Sequence, residues 1–340
     1  MQAKDSIECL VYRSPFRLKK AWDRLYANGY YTPFQAWRLN WVWSLVYGLK
    51  GARRKYKPLF YYFQDTENTE NECIIPVLVD KKRRLLANYS QFGPIDYYDA
   101  ICSTRDGEFL RRCMSELMKE YKGYSLNFEN VNESSALCQV LMECDRTEAP
   151  CVRIKFQSAD YDVYNQSLSK HQSLNLRTRY NKLQRLGLPF NVVKYDAQNK
   201  IPRSVHRKCM KMYEVRCAMK NGYKSGPLSK LAAYRDRVTN LIDLLAMDDG
   251  NAVFVAFVNG IPAGYMVCFY DLHRPIVYVP RLTVNADFMC YGAGILMLNE
   301  TIKILLKEGI GILDLTRGDE PYKFSMGGTV HYNYTFRKTI

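Results

Sequence analysis

Hydrophobic positions along the chain switch repeatedly between a period of two and a period near that of a helix. Residues 7–12, IECLVY, predict a first strand. From Pro33 to Gly51, Phe34, Trp37, Trp41, Leu45 and Leu49 recur at helical spacing, which predicts an amphipathic helix with tryptophans on its core face. LFYYF at 59–63 and CIIPVLV at 73–79 predict a hairpin across the polar loop 64–72, with Pro76 marking an edge or a bulge. A strand at 85–89, a turn at 92–94, a helix over 107–121, a strand at 124–130 and a helix over 133–142 follow.

A second series starts at Pro150 with the strand CVRIKF. Asp160 is suited to cap a helix that runs to Gly187, with a break near Ser169. LPFNVVKY at 188–195 is a strand, and 202–221 and 228–247 are helices parted by a glycine-bearing loop at 222–227. AVFVAFV at 252–258, the turn Asn259-Gly260 and IPAGYMVCFY at 261–270 form a hairpin, because Asn-Gly between alternating runs suits a tight primed turn. PIVYVPRLTV at 275–284 adds a third strand, and a helix over 294–307 follows. A buried strand from Gly311 and a final strand HYNYTFRK end the pattern. Both halves share a rough order of helix, hairpin strands, strand, helix and strand. The expected fold class is therefore α/β with two similar domains and a boundary near Pro150.

Composition narrows the class. The chain has 340 residues, 47% hydrophobic, enough for one large core or two ordinary ones. Residues 1–15 lack the apolar run of a signal peptide, and the apolar stretch 37–49 is too short to span a bilayer. That points to a soluble cytoplasmic protein without a transmembrane segment. The 11 cysteines are odd in number and show no C-x-x-C, so free thiols in a reducing compartment account for them. The 4 histidines have no paired metal spacing, and no metal is expected. A net charge of +15 favours an anionic partner: nucleic acid, nucleotide cofactor, acidic carrier protein or membrane surface. Solubility alone would also explain it.

Residues 312–328, ILDLTRGDEPYKFSMGG, concentrate the candidate chemistry. Asp314 interrupts an apolar strand, where it needs a partner. Arg317, Asp319, Glu320, Tyr322 and Lys323 then crowd the strand's C-terminal end, where α/β sheets place their chemistry. Pro321 is expected to exclude a helix there and to hold Glu320 extended. The same residues also fit a polar loop with an ion pair. Upstream, Gly292 and Gly294 in FMCYGAGILM open a helix after a β-meander. That arrangement suits a pyrophosphate on free N–H groups and a helix dipole. The helix over 160–187 carries Lys170, Arg177, Arg179, Lys182 and Arg185 and lies near the domain boundary in sequence.

Four segments together carry a family likeness: PFQAWRLNWVWSLVYG at 33–48, LSKHQSLNLRTRYNKLQRLG at 168–187, GAG at 292–294 and LDLTRGDEPYKFSMGG at 313–328. In them the chain resembles GNAT-superfamily acyltransferases related to the CelD/BcsL cellulose-biosynthesis proteins, which share a doubled GNAT architecture with FemAB peptidyltransferases. Where that family usually has a Ser-Pro-Gly-like turn before the CoA helix, this chain has Gly292-Ala293-Gly294. The resemblance implies two tandem GNAT-like domains, 1–150 and 151–340, with mixed sheets and the acyl-CoA site in the second. It places the thioester against splayed strands at about 278–284, which include Leu282 and Thr283. The pyrophosphate falls on Tyr291, Gly292, Ala293, Gly294 and Ile295. An amine would then attack the thioester directly. Lys323 becomes the candidate for charge stabilisation, Asp314, Asp319 and Glu320 for steering the amine or taking its proton, and Tyr322 for a hydrogen bond or for packing. Arg177, Arg179, Arg317 and Trp37 are candidate substrate contacts.

The implied function is N-acyl transfer, with acetyl-CoA or another acyl-CoA as co-substrate. The acceptor is a small-molecule amine or amino sugar of polysaccharide or envelope metabolism, and an acyl carrier protein is an alternative donor. A FemAB-like transferase using aminoacyl-tRNA is the second reading, which the positive charge would serve. No long charged antiparallel helix pair stands out, which argues against RNA. A basic nucleic-acid-binding protein is the third reading, and it lacks arginines interleaved with aromatics.

Overall fold

A computed structural model describes residues 7–48, 56–91, 95–104, 107–221 and 250–340. The helix expected over 228–247, the turn at 92–94 and the loop at 222–227 lie outside the described residues. The strands are β1 (Ile7–Tyr12), β2 (Lys57–Asp65), β3 (Glu72–Asp80), β4 (Leu85–Ala87), β5 (Ile101–Cys102), β6 (Ser125–Asn132), β7 (Asp145–Lys155), β8 (Phe190–Tyr195), β9 (Asn251–Val258), β10 (Ile261–Tyr270), β11 (Ile276–Val284), β12 (Ile312–Arg317) and β13 (Thr329–Thr339). The helices are α1 (Lys19–Asn28), α2 (Trp37–Gly48), α3 (Gly107–Glu120), α4 (Ala136–Leu141), α5 (Tyr161–Ser167), α6 (Lys170–Arg185), α7 (Arg203–Asn221), α8 (Ala293–Lys307) and α9 (Pro321–Ser325).

The chain divides into two compact units. Unit 1 is Met1–Pro150 with His331–Ile340, and unit 2 is Cys151–Val330. The last ten residues therefore leave the 151–340 stretch expected for the second domain. The reason is strand pairing: β13 runs antiparallel to β6, with Phe336 opposite Phe128.

Within unit 1, β1, β2, β3 and β4 are successive antiparallel neighbours, β6 runs parallel to β4, and β13 completes the order. Within unit 2, β8, β9, β10 and β11 are successive antiparallel neighbours, β12 runs parallel to β11, and β7 completes the order. The two pairing orders are the same. In each, one helix, α3 or α8, connects the antiparallel meander to the parallel strand.

Local chemistry explains the elements. Asn259 and Gly260 have φ of 48° and 72°, the left-handed pair that a type I′ hairpin needs, and Val258 faces Ile261 across the turn. Ser169 accepts a hydrogen bond from the Gln172 N–H and separates α5 from α6. Pro76 is not at an edge, since β3 has neighbours on both sides. It falls between the stretch of β3 that pairs with β5 and the stretch that pairs with β4, so no ladder bond is lost there. The Tyr98 hydroxyl donates to the Pro76 carbonyl instead.

The core of unit 2 lies between the sheet and α8, whose Leu296, Met297, Ile302 and Leu305 are fully buried. Helices α5 and α6 are tied to α8 through the buried Asn299. The Tyr161 hydroxyl donates to its Oδ1 at 3.0 Å, and its Nδ2 donates to the Tyr180 hydroxyl at 3.1 Å.

Candidate active site

Strands β11 and β12 pair only over Ile276–Tyr278 and Ile312–Asp314, yet β11 continues to Val284. Beyond that point the backbone ladder between the two strands ends. Thr316 stands at the fork. Its φ is 52°, an unusual conformation for a β-branched residue. Two bonds hold it there: its N–H donates to Asp314 Oδ1 at 2.8 Å, and its hydroxyl donates to the Val279 carbonyl at 3.1 Å. The acid inside the apolar strand is thus a local brace for a register shift between Asp314 and Arg317. Asp314 is buried, and the contact its geometry shows is this brace.

The loop after β12 is a clasp. Lys323 is only 2% exposed, and its ammonium donates to the carbonyls of Arg317 at 2.7 Å, Gly318 at 3.0 Å and Thr316 at 3.4 Å. It also pairs with Glu320 Oε2 at 3.0 Å. Three ammonium protons are thereby matched by four acceptors, so the cation that sequence assigned to charge stabilisation is engaged by its own loop. Gly318 has φ of 97°, and a Cβ there would fall 2.6 Å from Glu320 Oε2. Pro321 does not exclude a helix. It occupies the first turn of α9, where its missing N–H has no intrahelical acceptor to lose. Glu320 is extended as expected, with ψ of 136°.

Electrostatics follow from this geometry. Burial raises the Glu320 carboxyl, but the hydrogen bond from Lys323, the Glu320 backbone N–H, and the Lys323 and Arg216 charges together hold it below its ordinary value. Burial pushes the Tyr322 phenol up to about 12, with Glu320 adding to the rise and Arg216 opposing it. The Tyr322 hydroxyl therefore stays protonated at neutral pH and can donate a hydrogen bond. Asp319 is exposed on the same loop.

A cleft of about 840 Å³ opens beside this loop, bordered by α7, the start of β10, the end of β11 and the turn that follows it. Leu282 and Tyr322 line it, as do Glu320 and Asp287. Lys208, Lys211 and Arg216 of α7 bring positive charge to it. Arg216 also donates to the Leu282 carbonyl and, at 3.4 Å, to the Thr283 hydroxyl. The buried Arg281 of β11 stacks on Tyr213 of α7 at 4.1 Å. Sequence reading missed this face of α7. Its signal was present, because Lys208, Met212 and Arg216 recur at four-residue spacing, as do Lys211, Val215 and Met219.

The glycine turn meets the basic helix. Gly292 has φ of 72° and caps α8, and Ile295 and Leu296 donate to its carbonyl. A Cβ on Gly292 would collide with Arg179, 2.1 Å from its Nη1. Lys182 donates to the Cys290 carbonyl at 3.2 Å and lies 5.2 Å from the centre of the Tyr291 ring. Gly294 has a packing reason as well, since a Cβ there would come within 2.8 Å of Val284. Ala293 is buried and Ile295 partly so.

Arg177 is exposed. Arg317 is exposed at the end of β12, and its carbonyl is one acceptor of Lys323. Trp37 belongs to unit 1, where its indole N–H donates to the Pro15 carbonyl at 2.9 Å and its ring stacks on Trp41 at 5.3 Å. The structure thus gathers the 282–295 and 316–323 segments with α6 and α7 in unit 2, and Trp37 has its contacts in unit 1. Among the described residues no cluster of three or more His, Cys, Asp or Glu is arranged to hold a metal ion, and no helix is long and apolar enough to cross a membrane.

Residues 170–324 match the family model described as an acetyltransferase (GNAT) domain. That span covers α6, the glycine turn, the cleft and the clasp. No curated protein matches the chain by sequence. Among solved structures, FemX superposes with a TM-score of 0.59 at 8% identity, over 98% of each chain. L-PGS from Bacillus licheniformis superposes at 0.56 and 9% identity, over 96% of this chain and 92% of that one. A tandem GNAT protein from the clavulanic acid biosynthesis pathway does so at 0.52 and 10% identity, over 97% of each. At such identities the likeness is one of fold. The chain is a transferase with the α/β fold of tandem GNAT proteins, and its residues 170–324 are similar to a GNAT acetyltransferase domain.

Proposed function

We propose that the chain is an acyl-CoA-dependent N-acyltransferase whose donor site lies in unit 2. One observation carries the reading. The cleft beside the fork of β11 and β12 is lined by cations, and a glycine-capped helix N-terminus with Arg179 against it lies in the same unit. Pyrophosphate and a ribose phosphate need such charge, and helix N–H groups suit the pyrophosphate. The thioester then lies along Leu282 and Thr283.

In the reaction, the amine nitrogen attacks the thioester carbonyl, the C–S bond breaks, the CoA thiolate leaves and the nitrogen loses a proton. Tyr322, kept protonated by burial, lines the cleft as a hydrogen-bond donor for the developing charge. Glu320 is a weak base, since its carboxyl is held low by Lys323. Asp319, exposed on the same loop, is a candidate for steering the amine. Lys323 holds the loop in shape. The acceptor class, an amine such as an amino sugar in polysaccharide or envelope metabolism, rests on the family resemblance. The two units, with the same strand order, are read as two GNAT-like domains of one cytoplasmic enzyme.

Titration calorimetry with CoA and acetyl-CoA, followed by transfer assays over a panel of amines, tests this reading. Saturable binding of CoA that is lost on Arg179→Glu is the expected result. Absence of binding by any CoA species would overturn it. The net charge of +15 favours a second reading, an aminoacyl-tRNA donor, which predicts tight binding of tRNA at physiological salt and none of CoA.

A further inference from the structure

The walls of the cleft carry more apolar surface than an acetyl group needs. Met212, Val215 and Met219 face it from α7, Ile261 from β10, Leu282 from β11 and Met289 from the turn before α8. Four of these are well exposed: Met219 at 67%, Met289 at 64%, Ile261 at 48% and Val215 at 40%. Apolar side chains gathered in a concave wall, with cations beside them, mark a ligand site rather than scattered surface residues. Methionines are unbranched and polarizable, so they adapt to a flexible chain. Lys208, Lys211 and Arg216 border the same space.

We propose that the donor carries a medium-length acyl chain bound along the methionine-lined wall of α7, with the cations of α7 beside its anionic carrier and the pyrophosphate at the Gly292 turn. The charge pattern argues for this occupant. Three cations beside an apolar wall complement an anionic amphiphile, and an acyl thioester of phosphopantetheine is one. Each buried methylene contributes about 0.8 kcal/mol, so even a partly buried chain separates clearly from acetyl. The inference rests on the acyl-CoA reading above and specifies its substrate class. The same chain could arrive on CoA or on an acyl carrier protein, and the shared chemistry is the acyl-phosphopantetheine thioester.

The experiment measures dissociation constants of the full chain for CoA, acetyl-CoA and octanoyl-CoA, and for acetyl- and octanoyl-loaded acyl carrier protein. Wild type is expected to bind an octanoyl donor at least tenfold more tightly than the matching acetyl donor. Whichever carrier shows that preference identifies the source. Val215→Asn and Met219→Gln change exposed positions, and in them the octanoyl-to-acetyl ratio is expected to fall towards one. A wild-type ratio near one, with CoA still bound, overturns the chain-length inference alone. A preference that persists unchanged in both variants also overturns it, because the wall would then not hold the chain. Failure to bind any of these donors overturns the acyl-CoA reading itself.

Discussion

Removing the Lys323 ammonium is expected to disturb the loop before it disturbs the chemistry. Lys323→Met keeps the stem and deletes the charge. In the folded protein that charge serves the carbonyls of Arg317 and Gly318 at 2.7 and 3.0 Å, with Thr316 more distant at 3.4 Å. Charge-assisted hydrogen bonds contribute about 1.5–3 kcal/mol each, and water reaching the exposed loop recovers part of the loss. The Glu320 partner has a side chain 52% exposed, so that ion pair adds no more than about 1 kcal/mol. The net cost comes to about 2–4 kcal/mol. For a unit of this size, 1 kcal/mol moves Tm by about 2–4 °C, so a fall of roughly 5–15 °C is expected. The assay is a thermal melt together with turnover per folded molecule at low temperature. Turnover is expected to fall less than tenfold where the fold is fully populated. An unchanged Tm with a loss above a hundredfold would refute the reasoning. It would show that the ammonium turns towards the acyl group when substrate binds, the role that sequence assigned to it.

Three further outcomes follow from the same geometry. Arg179→Glu is expected to weaken CoA binding by at least tenfold, and the exposed Arg177→Glu by less than threefold; equal effects in calorimetry would mean that the glycine turn does not select between them. Gly292→Ala places a side chain at φ of 72° against Arg179, so stability falls by about 1–2 kcal/mol and CoA affinity falls with it; a variant that melts like wild type would contradict the collision. The Glu320 carboxyl is depressed from its ordinary 4.5, so its contribution to stability is present at neutral pH and is lost as pH falls through its folded value. Glu320→Gln should therefore flatten the acid side of the stability profile below about pH 4.5, and an unchanged slope there would mean that the clasp is not electrostatic.

Much of this protein was written in local pattern. The Asn259-Gly260 turn between the runs 252–258 and 261–270 marked a hairpin and its first pair, Val258 opposite Ile261, since a two-residue turn sets where pairing starts. Ser169 marked the break between α5 and α6 through a cap that needs only its neighbours. The crowding of charge after β12 and the glycines before α8 marked two segments that the fold brings into one unit. What pattern does not carry is which partner each charged group meets. Lys323 looks like an aimed cation in sequence, and tertiary structure turns it back onto the carbonyls of residues 316–318. Asp314 looks like a buried acid awaiting substrate, and folding makes it the brace for a left-handed Thr316 that no threonine propensity predicts. Pro321 reads as a helix breaker until the loop presents it at a first turn, where proline is tolerated. The destination of β13 is likewise non-local: its alternation made it a strand, but only pairing with β6, some two hundred residues earlier, returned it to unit 1. Short-range hydrogen bonds and hydrophobic period are encoded within a few residues. The directions of long charged side chains and the choice of strand partner are decided by the packing of segments that are distant in the chain.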